Sequence, residues 1–229
     1  MTVSQEKAHV SAKSLPGHTA EYGYGSEYAM MVYFLRHGQT WWNAEKRMQG
    51  QVNVPLNEEG RRQARRAAEL LPPVGLCLTS PLDRARETAR LALAGANTPM
   101  VNEPLLIEQA YGVAEGRSQT AAYDDPNDPM YFYGRAPERY CPPVGAESFE
   151  ALRLRAQTFL RKRLLPLEGR FDAVLVSAHG ALLCAVFGEM LGTPLSDFWQ
   201  NLLPHGGVRA LAVENGRCRL LEAPPSVRP

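Results

Sequence analysis

Residues 30–40 read MMVYFLRHGQT. The first six are apolar or aromatic and read as a buried strand. Packing gives a strand no reason to finish on arginine and histidine. Arg36 and His37 therefore either close an ordinary strand before a turn or belong to a site. The choice depends on what other segments bring to the same edge.

Downstream, residues 57–73, NEEGRRQARRAAELLPP, carry helix signals at both ends. Asn57 serves as N-cap, Glu58 and Glu59 suit the positive helix end, and Pro72 closes the segment. Ala64, Ala67, Ala68 and Leu71 share one face, and Arg61, Arg62, Arg65 and Arg66 form a solvated face opposite. A second strand, VGLCLTS (74–80), runs into a helix for which Ser80 is the cap, Pro81 the first residue and Asp83 a capping-box acid. A third strand falls near MVNEPLLIE (100–108). Residues 116–146, rich in Pro, Gly, Asp and Tyr, read as an insertion or lid outside the core. Residues 146–165 form an amphipathic helix burying Phe149, Leu152, Ala156 and Leu160. Strand DAVLVSA (172–178), helix GALLCAVFGEML (180–191) and two strands within 208–223 joined at Asn215-Gly216 complete the pattern. The expected class is α/β: a three-layer α/β/α sandwich with a mostly parallel central sheet, a C-terminal hairpin and an insertion covering the site.

Composition narrows the possibilities. A chain of 229 residues with net charge +1 suits one globular domain over residues 30–229, preceded by a polar extension over 1–29. The charge gives no reason to expect nucleic acid or an acidic membrane as partner. Residues 1–29 lack the apolar core of a secretory leader. Residues 173–192 are the most apolar stretch, but a central His-Gly and Glu189 favour strand–turn–helix over a membrane span. Four cysteines without C-x-x-C spacing, with Cys77 and Cys184 inside apolar segments, suit a reducing, cytoplasmic setting.

Parallel sheets bind ligands beyond the carboxyl ends of their strands. Four segments deliver polar residues there: Arg36 and His37, then Arg84, Glu108 and His179. Each type has a place in phosphoryl transfer. A neutral imidazole such as His37 is a nucleophile at pH 7. Arg36 and Arg84 offer planar, permanently charged forks for phosphoryl oxygens. His179, at a helix start, adds a donor beside the local N–H groups, and a protonated Glu108 supplies the proton an alkoxide leaving group needs. No acidic or histidine cluster has metal-ligand spacing, so no metal and no cofactor are expected, and the arginines stand in their place.

Six motifs in order carry a resemblance: LRHGQTWWNAEKRMQG (35–50), PLNEEGRRQA (55–64), SPLDRARETA (80–89), LIEQAYGVAEG (106–116), GAESFEALRLR (145–155) and VSAHG (176–180). Over residues 30–222 the chain resembles the histidine phosphatase superfamily, which includes phosphatases and cofactor-dependent phosphoglycerate mutases. The resemblance implies that His37 is the phosphorylated nucleophile and that Arg36, Arg84 and His179 form the phosphate pocket. It places Thr40, Asn43, Gln49 and Gly50 at substrate- or phosphate-contacting positions and makes Glu108 the proton donor. Where relatives often carry Trp, this chain has Ala114 before the second glycine of the Glu loop, and after the Gln-Gly it has Gln51 and Asn53 in place of Trp and Asp. These departures bear on the outer contacts of the substrate.

The function implied is a phosphomonoesterase acting on a small phosphorylated metabolite through phosphohistidine, with water as final acceptor. The alternatives are mutase-like transfer and a non-catalytic phospho-ligand module. The segment after Glu108 lacks the basic, substrate-gripping insert of the mutases, which favours hydrolysis. Among the remaining candidates, Glu115 is the rival acid and reads as structural, and His205 in LLPHGGV reads as a turn histidine. His9 and His18 read as solvated, Trp42 as packed beneath the nucleophile loop, and Trp41 as a candidate for the cleft mouth.

Overall fold

The computed structural model describes residues 30–220. Its layers follow from the alternation in the first strand, β1 (Met30–Arg36). Met30, Val32 and Phe34 join one apolar cluster with helices α5 (Phe149–Phe159) and α6 (Gly180–Leu191). Met31, Tyr33 and Leu35 join a second with α2 (Glu58–Ala67) and α3 (Asp83–Ala92). Successive strand residues point to opposite faces, so a strand apolar throughout needs helices on both sides. On the α2/α3 face the contacts are made by Ala67, Ala89 and Ala92, whose small side chains let the helices lie close.

The sheet has six strands in the order β3–β2–β4–β1–β5–β6. β2 (Leu76–Thr79), β3 (Met100–Asn102) and β4 (Ala173–Ala178) run parallel with β1, while β5 (Val208–Glu214) and β6 (Arg217–Leu220) add an antiparallel hairpin. Asn215 and Gly216 both have positive φ, as the tight hairpin turn requires, and their N–H groups donate to the Glu168 carboxylate at 2.5 and 2.8 Å. Register places the site: Arg36 pairs with Ala178, and Thr79 with Ser177. His37, Ser80 and His179 therefore leave neighbouring strands at one edge.

The three-layer architecture, the hairpin and the covering insertion match the expectation. Two local readings are corrected. Residues 116–146 are not outside the core: after the short helix α4 (Gln119–Asp124), Met130, Tyr133 and Tyr140 are buried in the main apolar cluster. Tyr133 stacks on Phe149 with ring centroids 5.2 Å apart. The polar composition of this segment concealed a few large anchors. The second correction concerns α3, which starts at Asp83 rather than at Pro81. Ser80 Oγ is engaged by His179 Nε2 at 2.7 Å while still accepting the Leu82 N–H at 3.3 Å, and Asn53 Oδ1 accepts the Asp83 N–H at 2.9 Å. The extension over 1–29, with His9 and His18, lies outside the described residues. Among the described residues no single helix is long and apolar enough to cross a membrane, and α6 is a core helix buried from Gly180 through Gly188.

The loop after β1, including the helical turn α1 (Trp41–Ala44), is pinned to α2 by two glycines. A Cβ on Gly38 would lie 2.3 Å from Gly60 O, and one on Gly60 would lie 2.1 Å from Gln39 O. Gly→Ala in an ordinary helix stabilises by about 0.5–1 kcal/mol. Gly60→Ala is expected to do the reverse and destabilise by about 1–3 kcal/mol through overpacking. Denaturant unfolding reads the sign, and a stabilised variant would show that the two backbones do not depend on this contact.

Candidate active site

The nucleophile loop is held by its own backbone. Arg36 N–H donates to Gly207 O, His37 N–H to Ala178 O, Gly38 N–H to Thr88 Oγ1 and Gln39 N–H to Gln63 Oε1, all between 2.9 and 3.1 Å. Thr40 caps α1 through a reciprocal pair with Asn43. The partners come from β4, α2, α3 and the 204–207 turn, so the loop is fixed from four directions. His37 is almost fully buried, and its Nδ1 lies 2.7 Å from Gly38 O. A carbonyl only accepts, so the imidazole proton sits on Nδ1 and Nε2 keeps its lone pair.

Two arginines flank this imidazole. Arg84 is fully buried and donates through Nη2 to Gly50 O at 2.7 Å and through Nη1 to Val52 O at 2.8 Å. Its Nε is shared between His179 Nδ1 at 3.2 Å and Gln49 Oε1 at 2.7 Å, with Gln49 Nε2 turned to the Thr40 hydroxyl. Arg36 donates through Nη1 to Leu203 O at 2.6 Å and through Nη2 to His205 Nε2 at 3.0 Å. Its Nε is buried and has no partner. An unsatisfied buried cationic donor is costly, and an anion placed there removes the cost.

Glu108 holds its carboxylate at the start of α6. Oε1 accepts from Leu182 N–H at 3.0 Å and Gln109 N–H at 2.9 Å, and Oε2 from Ala181 N–H at 3.3 Å. Glu115 takes a different place: its Oε1 accepts the N–H groups of Gln51 and Tyr111 and ties the Gln-Gly loop to the Glu108 loop. Gly50, with φ +53°, leaves room for that carboxylate, because a Cβ would lie 2.1 Å from Glu115 Oε1.

One cavity of about 320 Å³ gathers these groups. Arg36, His37, Asn43, Gln49, Gly50, Arg84 and Glu108 all line it. Thr40 and His179 stand behind the lining. The His179 ring is 5.1 Å from that of His37, but Arg84 and Ser80 occupy its two nitrogens. His205 is corrected. It is a turn residue, yet it lines the cavity, holds Arg36 and places its ring 5.7 Å from that of His37. The turn returns to β1, where Gly206 N–H donates to Arg36 O, a contact across 170 residues that no local signal announces. Trp42 stacks on Arg47 and Trp41 is exposed, and neither lines the cavity. The other walls, Tyr111, Tyr123, Tyr133 and Trp199 among them, were not singled out by sequence.

The electrostatics favour a neutral nucleophile. Burial, then the charges of Arg84 and Arg36, hold the His37 pKa well below 6.5, and burial and Arg84 do the same for His179. Burial and Arg36 push His205 down to about 3. Burial lowers Arg84 to about 10, opposed by Glu108, so it stays charged at neutral pH.

Comparison with known proteins bears on the family and the fold. The model of the histidine phosphatase superfamily (branch 1) matches residues 32–223. The 2,3-bisphosphoglycerate-dependent phosphoglycerate mutase 2 of Gloeobacter violaceus is 34% identical over 168 residues, covering 70% of this chain and 75% of the relative. Among solved structures, Bacillus stearothermophilus YhfR aligns with a TM-score of 0.77 at 28% identity, covering 86% of this chain and 96% of that one. The alpha-ribazole phosphatase of Shigella flexneri aligns with a TM-score of 0.74 at 25% identity, covering 85% and 96%.

The three depressed histidines make stability depend on pH. Each is neutral when folded and binds a proton on unfolding below its ordinary pKa of ~6.5. The unfolded chain then binds more protons, so stability falls as pH drops below ~6.5, by about 1.4 kcal/mol per unit for each histidine, and is flat above. For His205 the window runs down to about 3. His205→Gln is expected to reduce the acid slope by one proton relative to the parent in denaturant melts between about pH 4 and 6.5. An unchanged slope would mean that His205 is not held neutral by the fold.

Proposed function

The chain belongs to the histidine phosphatase superfamily, and we propose that within it this protein is a phosphomonoesterase that works through phosphohistidine at His37. The observation that supports the proposal is the fixed tautomer of His37, which leaves Nε2 unprotonated on a residue that lines the cavity with two arginines, one with an unpartnered buried Nε. Nε2 forms the N–P bond as the ester P–O bond breaks, and Glu108, in its protonated form, gives its proton to the leaving oxygen. Water then attacks phosphorus, its proton passes to Glu108, and the N–P electrons return to His37. Arg36 and Arg84 balance the charge on the equatorial oxygens throughout, the part a metal ion plays in other phosphoryl transfers.

The mutase relative raises the question of hydrolysis against transfer. Transfer needs a bisphosphate retained beside His37, and so cations beyond the phosphoryl pocket. The insertion lines the cavity with Gln119, Tyr123, Tyr133 and Gly134, none of them basic. Arg47 is the remaining lining arginine, with its Nε bound to Gly116 O and its guanidinium over Trp42. Hydrolysis of a small phosphorylated metabolite is therefore the favoured outcome.

Acid-quenching with phosphorus-labelled substrate, in the presence of a chelator, is expected to trap an acid-labile, base-stable adduct on the parent protein and none on His37→Ala. An adduct that persists in the variant, or one that forms only with added metal, would overturn the mechanism.

The role of Glu108 is read from leaving-group dependence. An alkoxide needs the proton and a nitrophenolate does not. Glu108→Gln is expected to slow alkyl phosphates roughly 10²–10⁴-fold and nitrophenyl phosphate far less. Equal losses on both, or a leaving-group-dependent loss at Glu115→Gln instead, would place the acid elsewhere.

A further inference from the structure

The cavity wall contributed by Tyr111 and Tyr133 has a fixed polarity. Gln109 is fully buried, and its Nε2 donates to Glu147 O at 2.8 Å, which turns Oε1 towards Tyr133. Tyr133 Oη lies 2.8 Å from Gln109 Oε1 and 2.8 Å from Tyr111 Oη. An amide oxygen only accepts, and a phenol has one proton. Tyr133 therefore donates to Gln109, and the contact with Tyr111 is made with the proton of Tyr111. The Tyr111 oxygen is left with lone pairs and nothing to donate. Burial raises both phenols well above 10, so each keeps its proton at neutral pH.

Tyr111 lines the cavity together with Glu108 and Arg36 and within their electrostatic reach. We infer that the Tyr111–Tyr133–Gln109 chain makes this wall an acceptor for a substrate hydroxyl, so that the protein takes phosphomonoesters of uncharged, hydroxyl-bearing alcohols and disfavours a carboxylate beside the ester. The inference rests on the phosphatase proposal above and names its substrate class. A hydroxyl donates to the Tyr111 oxygen, whereas a carboxylate oxygen meets a second set of lone pairs. The neighbouring lining residues Tyr123, Trp199 and Leu202 offer apolar faces to the carbon skeleton. The volume of about 320 Å³ is at the small end of the range for ligand pockets, enough for a phosphoryl group and a compact polyol or single sugar ring.

The test compares kcat/KM, which covers the steps through phosphohistidine formation, for glycerol 3-phosphate and 3-phosphoglycerate. The pair differs in a hydroxymethyl against a carboxylate. Phenyl phosphate serves as the third probe. The parent is expected to prefer the glycerol ester about tenfold or more, the worth of one net hydrogen bond. Tyr111→Phe is expected to remove most of that preference. Tyr133→Phe frees the Tyr111 proton to donate, so the carboxylate ester is expected to gain on the glycerol ester. A parent that prefers 3-phosphoglycerate, or a ratio unmoved in both variants, overturns the inference while leaving the phosphatase proposal intact. Activity on phenyl phosphate alone does the same. Release from none of the three esters overturns the phosphatase proposal and the inference with it. If Tyr133→Phe fails to fold, the parent preference and Tyr111→Phe still decide.

Discussion

The site depends on one close approach, that of the Gly38 and Gly60 backbones. With no side chain between them, the loop leaving β1 lies directly on the first turn of α2, and Gln39 is caught between Asn57 and Gln63. The order this imposes is continuous from Arg36 to Thr40, where each N–H has a partner from a different part of the fold. A nucleophile held in this way meets its substrate without first losing conformational freedom, and effective molarity depends on that condition.

Neutrality at His37 follows from the same compactness. Two guanidiniums and burial together make a third positive charge unfavourable, so the imidazole keeps its lone pair while its surroundings attract an anion. The arginines are themselves positioned by carbonyls: Gly50 and Val52 for Arg84, Leu203 for Arg36. Backbone oxygens orient these cations without neutralising them, and the positive field is kept for the incoming phosphoryl group.

Much of this was legible in the sequence, for identifiable reasons. Strand period, Asn57 as cap and the Asn215-Gly216 turn are local signals, and each gave its element directly. Convergence of Arg36, His37, Arg84 and Glu108 on one cavity followed from where parallel strands end. What escaped depends on long-range contact. Ser80 reads as a cap, and no local signal shows that its hydroxyl also meets His179, while His205 looks like a turn residue until its turn is seen folded against β1. Tyr133 sits in a segment whose prolines, glycines and aspartates outweigh its few aromatic anchors, so composition hid a core residue that is also a wall of the site.

That double membership has an evolutionary side. A wall residue whose ring also stacks on Phe149 and packs edge-on against Trp199 cannot be exchanged for the sake of a new substrate without loosening the core. Drift in specificity is thereby channelled to the lining positions with less at stake in folding, the exposed Gln119 first among them. Descendants of this chain would diversify at the mouth of the cavity while its floor and aromatic wall stayed fixed, and mutational tolerance across the site would be graded from the rim inwards.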